Sequence, residues 1–410
     1  MDYRNGRASA AQSKRRGRYT PAMDQVPPPP VPTQLIVFAD DWGRHPSSSQ
    51  HLIRELLPHY PTLWVNTVGT RRPQFTLADL KRAAGVFSSW FFTSRREADL
   101  NLPDGLRVIA PKMYPGYRNR LQRKYNAASV LRAVHRDLLE DHRHVVVTTL
   151  PTTADLIGPM HVDRWVYYCV DAYNLWPGTD HDIMTQMDKA QVALADELVA
   201  VSDVIAQYIK ALGRSSVSTN HGVDLAFWRT PSKDSVISDR WPQDERPVAL
   251  FWGLLDGRMD SYWLTALAKQ PEWHVVLAGP KAETYQGIIA DPYCEWIGPV
   301  AQKDLPAHAA SSQVLIMPYV DEPVTQMMQP LKLKEYLATM KPVVVRDLPS
   351  TREWADCCDL AADAETFVDL VEQRIKTGTP PEQIEARKRR LARESWTSKA
   401  AQLAAIINAD

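Results

Sequence analysis

Two apolar runs separated by a short helical pattern constrain the fold of this chain more than any other feature. Residues 314–317 and 342–345 consist mostly of Val, Leu, Ile and Met without polar alternation, and residues 331–340 carry apolar side chains at helical spacing. Strands buried on both faces show such runs, and they are typical of parallel sheets joined by helical crossovers. The stretch therefore predicts a strand–helix–strand unit of an α/β protein.

A polar loop, residues 319–330, joins the first of these strands to the helix. In open parallel sheets such loops lie at the carboxyl ends of strands, where ligands bind. The helix begins near Leu331, with orphan backbone N–H groups and the positive end of its dipole. Lys332 and Lys334 add positive charge there, and Glu335 is the acidic residue of the helix. The pattern indicates a ligand that combines an anion with a hydroxyl-rich group.

Alternation of strand and helix patterns recurs along most of the chain, and 410 residues suit two domains better than one. A polar, proline-containing segment at residues 230–246 interrupts the alternation. We therefore predict an α/β protein of two Rossmann-like, doubly wound domains that face each other across a cleft. The predicted divisions are a tail at residues 1–33, a first domain at 34–229, a second domain at 230–392, and a helix at 393–410 that crosses back to the first domain.

The first 33 residues hold six basic side chains and end in a run of prolines. This composition predicts a disordered basic tail with a stiff proline spacer. No apolar segment follows the basic residues, which argues against a signal peptide. We interpret the tail as a solvated leader, with weak attraction to anionic lipid as the alternative. The formal net charge of +0 lacks the basic excess of a nucleic-acid-binding protein, so no nucleic-acid partner is expected.

The cysteines and histidines give no sign of a metal or redox site. The chain has four cysteines and no C-x-x-C pair, which indicates a reducing cytoplasm. No His/Cys cluster has the spacing of a zinc site, and the adjacent carboxylates Asp40 and Asp41 are weak evidence for a metal. We expect neither a metal nor a cofactor.

Four sequence blocks together resemble one family. They are WVYYCVD at 165–171, NHGVD at 220–224, GPV at 298–300 with LP at 305–306, and PLKLKEYLA at 330–338 followed by KPVV at 341–344. In this order they resemble the GT-B glycosyltransferases of the large retaining, nucleotide-sugar-using family 4 (group 1), whose members show a P-x-K-x-x-E-Y-L-A-x-G-x-P-V-V pattern. The resemblance extends from Leu35 to Asn408. It implies the GT-B fold, with the acceptor on the first domain and the nucleotide sugar on the second.

The resemblance assigns donor-binding roles in the second domain. It implies that Glu335 accepts hydrogen bonds from the ribose hydroxyls, which suits a carboxylate. Lys332 and Arg258 become candidates for the pyrophosphate, although Lys332 could instead be a solvated helix lysine. Gly253, after the first strand of the domain, and Leu331, at the helix start, complete this part of the donor-binding set.

One position departs from the pattern of the family. Members often carry a second glutamate eight residues before the first, where it contacts the transferred sugar. This chain has Met327 there, and a thioether is a poor hydrogen-bond acceptor. We therefore expect the sugar to be held by backbone N–H groups of the loop together with Thr325 and Gln326.

The resemblance also marks residues of the first domain. Asp171 ends an apolar strand where relatives present a His or Asp to the donor sugar, and its catalytic role would be electrostatic support of an oxocarbenium-like transition state. The alternative for Asp171 is the capping of a following helix. Asp41, as a second catalytic candidate, and Trp42 and His45, on the acceptor side, lie in the first loop, where relatives bind the acceptor and approach the pyrophosphate.

These residues predict an enzyme that transfers a sugar, with retention, from a nucleoside diphosphate sugar, expected to be a UDP-sugar. The acceptor would be a glycan or a lipid-linked sugar, as in polysaccharide or glycoconjugate biosynthesis. We expect a cytoplasmic protein, with peripheral contact at the inner face of the membrane as an open alternative. A sugar-nucleotide 2-epimerase on the same fold and a non-catalytic relative that binds nucleotide or glycan are the other hypotheses.

Overall fold

The computed structural model describes residues 25–43, 47–67, 102–176, 178–283, 285, 287, 290–291 and 294–409. Most of the expected basic tail and His45 lie outside these residues. The predicted end of the tail, at residue 33, nevertheless lies too far along the chain. The first strand begins at Thr33, and Val26 is buried in the core of the first domain, where Tyr60 donates a hydrogen bond to the carbonyl of Pro27 at 3.3 Å. Apolar contact with the domain holds this proline-rich segment.

The first sheet has seven strands among the described residues, in the order β3-β2-β1-β4-β5-β6-β7, and all its pairs are parallel. Its strands are β1 (Thr33–Ala39), β2 (Thr62–Asn66), β3 (Leu106–Ile109), β4 (Arg143–Thr148), β5 (Arg164–Cys169), β6 (Glu197–Ala200) and β7 (Val217–Ser218). The helices that follow in this part of the chain are α1 (Ser48–Leu56), α2 (Arg120–His135), α3 (His181–Leu194), α4 (Asp203–Ala211) and α5 (Leu225–Arg229).

The second sheet also has seven strands among the described residues, in the order β10-β11-β9-β8-β12-β13-β14, and only the β10–β11 pair is antiparallel. Its strands are β8 (Val248–Trp252), β9 (His274–Ala278), β10 (Ala290–Asp291), β11 (Cys294–Gly298), β12 (Val314–Met317), β13 (Val343–Arg346) and β14 (Asp359–Ala361). Its helices are α6 (Ser261–Ala268), α7 (Leu305–Ser311), α8 (Pro323–Met327), α9 (Leu331–Ala338), α10 (Pro349–Arg352), α11 (Ala364–Thr377) and α12 (Pro381–Leu391). The chain then forms α13 (Trp396–Ile407).

The two sheets confirm the predicted α/β, doubly wound architecture. Every residue of β1, β8 and β12 is buried, because helices cover both faces of each sheet and leave no polar alternation in the central strands. One expectation was wrong: the segment at 319–330 is not loop throughout, since it contains α8. A five-residue helix that begins with Pro323 gives no periodic signal in the sequence.

The two cores meet where the chain crosses between the sheets. Val223 and Trp228 already pack in the second core, so we propose that the first crossing lies near Val223 rather than at residue 230. The return crossing runs beside it: the N–H of Val223 donates to the carbonyl of Glu394 at 2.7 Å, and α13 then packs Ala400, Leu403 and Ala404 into the first core. At this point a Cβ on Gly222 would lie 2.6 Å from the ring of Trp396, so the two crossings pack as closely as backbone allows.

Candidate active site

The carboxyl ends of β8 and β9 meet at a pair of glycines. Gly253, directly after β8, has φ +143°, and its N–H donates to the carbonyl of Ala278 at 2.8 Å. Gly279, directly after β9, has φ +138°, and a Cβ there would lie 2.0 Å from the carbonyl oxygen of Gly253. A side chain at Gly279 is excluded by this backbone contact, and positive φ disfavours one at both positions. The strand ends therefore present bare backbone at the edge of the sheet.

Lys332, in the first turn of α9, points at this edge. Its Nζ donates to the hydroxyl of Tyr319 at 2.6 Å and lies 4.9 Å from the ring centroid of Phe251. A Cβ on Gly253 would lie 2.1 Å from the same nitrogen. The ammonium is thus held at the end of β8 by a hydroxyl and two aromatic rings, and the interpretation of Lys332 as a solvated helix lysine was wrong.

Arg258 lies across the cleft from the first domain. Its guanidinium forms a salt bridge with Asp256, with Nη2 and Oδ2 2.8 Å apart, and donates to the sulfur of Met328 at 3.4 Å. The carbon Cζ lies 5.1 Å from the ring centroid of Trp176, which belongs to the first domain. The acidic neighbour and the aromatic face together hold the guanidinium group in one orientation. Its charge is already balanced by Asp256, a partner that the sequence analysis missed.

Glu335 is half-buried and lines a pocket that is partly open to solvent. The indole N–H of Trp252 donates to Oε2 at 3.3 Å, and no second donor reaches this carboxylate in the described part of the chain. Burial raises the pKa of Glu335 to about 7, although Trp252 and the charge of Lys332 act in the opposite direction. Phe227, Trp228 and Gln302 line the same cavity. The carboxylate therefore has an acceptor oxygen available beside an aromatic-lined space.

Thr325 has a structural role in place of the expected sugar contact. The residue is fully buried, and its hydroxyl donates to the carbonyl of Val320 at 2.5 Å and accepts from the N–H of Glu322 at 3.1 Å. These bonds cap α8 and leave no side-chain atom of Thr325 exposed to a ligand. Gln326 is exposed, and its amide donates to Asp321 at 3.0 Å.

Met327, the residue at which the chain departs from the family pattern, and Leu331 pack towards the first domain. Met327 and Leu331 are half-buried against the core that α1, β1 and their neighbours form. A methionine suits such a contact, because its flexible, apolar side chain fills irregular gaps. Met327 thus contributes to the seam between the domains, and the side chain of Leu331 lies there as well, while a donor contact at the helix start stays a prediction.

Asp171 follows β5 at the carboxyl edge of the first sheet and is half-buried. Burial raises the pKa of Asp171 to about 6, and the charge of Arg258 and a hydrogen bond from Trp176 oppose that rise. Asp171 does not cap the following helix: α3 is capped by Asp180, whose Oδ1 accepts from the N–H of Ile183 at 3.5 Å. The capping alternative for Asp171 was therefore wrong, and the structure brings this carboxylate together with Arg258 of the second domain.

Trp42 is a core residue rather than an exposed acceptor platform. It is 7% exposed, and its ring meets Trp64 edge to face with centroids 4.9 Å apart, while Arg54 lies over the ring. The expectation of an acceptor-side role for its side chain is corrected, because the ring is held between Trp64 of β2 and Arg54 of α1. Apolar packing outweighs the polar context of its loop.

Asp41 is half-buried in the first loop, and its backbone carbonyl accepts a hydrogen bond from the side-chain amide of Gln50 at 3.3 Å. The neighbouring Asp40, which the sequence analysis did not assign, accepts from the Ser47 hydroxyl at 2.7 Å and from the same Gln50 amide at 2.6 Å. Burial raises the pKa of Asp40, and these two hydrogen bonds oppose the rise. Gln50 thus ties the first loop to α1, and the catalytic role of Asp41 stays a prediction.

Lys334 is not part of the anion site. Its side chain is 2% exposed and its ammonium donates to the carbonyl of His221 and to Glu394, at the two crossings between the domains. Lys399 reaches the same carboxylate at 2.8 Å. Burial would raise the pKa of Glu394, but the two ammonium groups hold it below its usual value. Lys334 therefore fastens the crossings together, two residues away from the lysine that faces the cleft.

The described residues contain no group of three or more His, Cys, Asp or Glu side chains placed to hold a metal ion. The expectation that the protein needs no metal stays a prediction. In the same part of the chain, no helix has both the length and the apolar character needed to span a bilayer.

The arrangement of two parallel-sheet domains is the GT-B fold. Sucrose-phosphate synthase from Thermosynechococcus elongatus superimposes with a TM-score of 0.64 at 13% identity, over 92% of this chain and 98% of that one. HepE of Anabaena, solved in complex with UDP, superimposes with a TM-score of 0.62 at 15% identity, over 92% of this chain and 99% of that one. A complex of HepE with UDP-glucose gives a TM-score of 0.63.

Within this fold, residues 261–376 match the family model described as glycosyl transferases group 1, which confirms the resemblance over most of the second domain. Glu335 and Lys332 lie inside the matched region, whereas Gly253 and Arg258 precede it. TuaH of Bacillus subtilis (strain 168), named as a teichuronic acid biosynthesis glycosyltransferase, is 28% identical over 210 residues, which is 46% of this chain and 52% of TuaH. The chain thus spans about half the length of this curated relative.

Proposed function

We propose that this protein transfers a sugar from a nucleoside diphosphate sugar to a glycan or lipid-linked acceptor, with retention of configuration. The observation that carries the proposal is Glu335, whose second carboxylate oxygen is available beside a cavity at the ligand-binding edge of the second sheet. The group 1 match around it, the complexes of HepE with UDP and UDP-glucose, and the name of TuaH support the same class of activity. UDP is the nucleotide we propose to test first.

The nucleoside has a defined place in this proposal. The pocket that Glu335 lines has the aromatic side chains of Phe227, Trp228 and Trp396 in its wall, which suits the stacking of a planar base. The ribose hydroxyls would donate to Glu335, and the base would lie towards Phe227 and Gln302. Carboxylates accept two O–H donors well, and burial strengthens such bonds.

The diphosphate would lie between Glu335 and the cleft. Lys332 and Arg258 supply two positive charges there, and the exposed backbone at Gly253 allows close approach. Arg258 would have to exchange part of its contact with Asp256 for phosphate oxygens. With two cations on the diphosphate, we propose that transfer proceeds without a metal ion or cofactor.

The transfer step joins the two domains. The bond between the anomeric carbon and the departing phosphate oxygen breaks, the acceptor oxygen bonds to the same face of the sugar, and the acceptor proton moves to the departing phosphate. Lys332 and Arg258 would stabilise the charge on the leaving diphosphate. Asp171, close enough to Arg258 to act on its charge, would stabilise positive charge on the sugar ring in the transition state.

Nucleotide binding by Glu335→Ala tests the proposal. Hydrogen bonds to a charged group contribute about 1.5–3 kcal/mol, so we expect UDP affinity in calorimetry to fall about 10- to 100-fold. Glu372→Ala is the matched control, because Glu372 is a glutamate of the same domain whose side chain is 45% exposed and whose partner is Lys376. Unchanged binding of UDP, GDP and ADP after Glu335→Ala would overturn the assignment.

Product analysis separates transfer from the other two hypotheses. Conversion of the donor sugar in the absence of any acceptor would favour a 2-epimerase. Nucleotide binding without transfer or donor conversion, across a panel of donors and acceptors, would favour a non-catalytic relative. The α-configured product from an α-configured donor, identified by NMR, is the result expected for retention.

We place the reaction in the cytoplasm. The four cysteines all lie in the described part of the chain, where they are buried and form no disulfide, as expected in a reducing compartment. A lipid-linked acceptor would bring the protein to the inner face of a membrane. Flotation with and without anionic vesicles measures that contact.

A further inference from the structure

Trp252 lies between the strand end and the acidic residue of the proposed ribose site. It is the last residue of β8, is 4% exposed, and donates its indole N–H to Oε2 of Glu335 at 3.3 Å. Neither the family pattern nor the sequence analysis assigns a role to this side chain. An indole N–H is a donor only, so it can bind the carboxylate but cannot accept a proton from a carboxylic acid.

The position of this indole is fixed on all sides. Its ring stacks on Trp228, with centroids 5.3 Å apart and planes 10° apart, and packs against Tyr336 at 4.1 Å. The Tyr336 hydroxyl accepts from the backbone N–H of Trp252 at 3.0 Å and lies 3.3 Å from its carbonyl oxygen, to which it donates. Tyr336 follows Glu335 in α9, so one helix carries both the carboxylate and the group that holds its partner.

The stacking partner comes from the connection between the domains. Trp228 belongs to α5, directly after the first crossing, and its ring also meets Phe227 edge to face at 5.0 Å. Both of these aromatic residues line the cavity beside Glu335. The rotation of the Trp252 ring is therefore set by the wall of the nucleoside cavity itself.

We propose that Trp252 is a positioning residue that orients Glu335 for ribose and thereby sets the preference of the site for ribonucleotides over deoxyribonucleotides. The inference rests on the proposed function, because it gives the carboxylate the ribose as its ligand. With Oε2 held by the indole, Oε1 is left to accept hydrogen bonds from a ligand. A carboxylate that rotates freely would bind a diol more weakly, because its side chain would lose conformational entropy on binding.

The ionisation of Glu335 supports this role. Burial raises the pKa of Glu335 to about 7, and the indole of Trp252 and the ammonium of Lys332 are the two groups that oppose the rise. His51 and Asp224 line the same cavity from α1 and from the connection. Removal of the indole N–H removes one of the two opposing groups, so Glu335 should take up its proton at a higher pH.

Trp252→Phe tests the proposal, since it keeps an aromatic ring against Trp228 and Tyr336 but removes the N–H. We expect the dissociation constant for UDP at pH 7.5 to rise about fivefold to tenfold, as for the loss of one buried hydrogen bond, while that for 2′-deoxy-UDP rises less. The pH at which UDP binding is half-maximal should move upward. Trp273→Phe is the matched control, because Trp273 is buried in the same domain and its indole N–H has no partner in the described residues.

A second measurement uses the wild-type protein and does not depend on whether Trp252→Phe folds. Indole ¹⁵N–¹H signals of the wild-type protein, followed from pH 5 to 9, should include one that shifts with the protonation of Glu335 and that stops shifting in Glu335→Gln. Absence of such a signal would overturn the proposal, as would equal losses of UDP and 2′-deoxy-UDP binding in Trp252→Phe, or unchanged binding of both.

The outcomes separate this inference from the function on which it rests. If wild-type protein binds no nucleoside diphosphate, the proposed function fails. If the wild type binds UDP and Glu335→Ala weakens binding while Trp252→Phe has no effect, only the role of Trp252 fails.

Discussion

The two halves of the cleft are built in different ways. In the second domain, Lys332 and Glu335 lie on one helix, and their side chains reach Tyr319 and Trp252 at the ends of the neighbouring strands β12 and β8. In the first domain, Trp42 turns into the core and Asp171 reaches its site through contacts that come from elsewhere in the chain. A helix fixes the direction of its side chains locally, whereas residues in the loop after a strand take their direction from packing.

The two carboxylates nevertheless have similar surroundings. Burial raises the pKa of Asp171 to about 6 and that of Glu335 to about 7, and in each case a tryptophan donor and a cation oppose the rise. The cations differ in origin: Lys332 is on the same helix as Glu335, while Arg258 faces Asp171 from the other domain. An elevated pKa therefore marks both residues as site candidates without separating their roles, and variants are needed to do so.

Lys334→Met should give the largest effect on stability, because it removes the contact between Lys334 and Glu394 at the crossings between the two domains. Glu394 would stay half-buried with Lys399 as its one remaining ammonium partner among the described residues, and loss of one partner of a largely buried pair destabilises by about 3 kcal/mol. Lys332→Met is the matched variant, two residues away on the same helix, and should change the free energy of unfolding little. Denaturant unfolding measures both. Equal losses would contradict the separation of the two lysines into a crossing contact and a cleft cation.

Asp171→Asn should come next and should act on turnover rather than on nucleotide binding. Removal of one preorganised electrostatic group lowers kcat by about 100-fold or more, whereas the dissociation constant for UDP should stay within about twofold because Asp171 faces the sugar in our proposal. The exposed Asp182→Asn, in the first turn of α3, is the control. If Asp171→Asn weakened UDP binding as much as Glu335→Ala does, the two carboxylates would not divide the roles we assign.

The same contrast between the two domains explains which parts of the site the sequence predicts. The glycine-bordered strand end, the helix and Glu335 lie in segments whose apolar pattern sets their geometry, and both sheets were predicted from that pattern. Thr325 is buried because it caps its own short helix, and Trp42 is buried because it packs on Trp64; neither contact follows a repeating apolar pattern in the sequence. In the sequence, Trp252 is part of a strand pattern and Trp176 is part of a loop. Only the folded chain shows that the indole N–H of each reaches a carboxylate.

Glu335→Gln should reveal a stability effect of intermediate size. Glu335 titrates near 4.5 in the unfolded chain and at about 7 in the folded protein, so its folded state is favoured below pH 4.5 and loses that advantage as the pH rises to 7. Glutamine cannot ionise, so the variant should gain about 2 kcal/mol relative to wild type at pH 8, allowing for the water that reaches a half-buried group, and little at pH 4. Melting temperatures of both proteins across this range measure the difference. A gain that is equal at both pH values would show that Glu335 is not disfavoured as a carboxylate.

Trp176→Phe should give the smallest effect and is the most direct probe of the contact between the halves. The variant keeps an aromatic face for Arg258 but loses the N–H that reaches Asp171. Phenylalanine is a weaker partner for a guanidinium than tryptophan is, and the two losses together amount to about 1 kcal/mol, or about fivefold in kcat/KM for the donor. Trp241→Phe is the control, because Trp241 lies in the segment of residues 230–246, where its ring meets His308 edge to face.

Trp176 touches one site residue of each domain, so it should also couple them. In combination with Asp171→Asn its effect on kcat/KM should shrink, because the indole N–H then donates to a neutral amide oxygen and not to a charged carboxylate. Strictly additive effects would mean that Trp176 acts on Arg258 alone, and that the first domain senses the donor side of the cleft by another route.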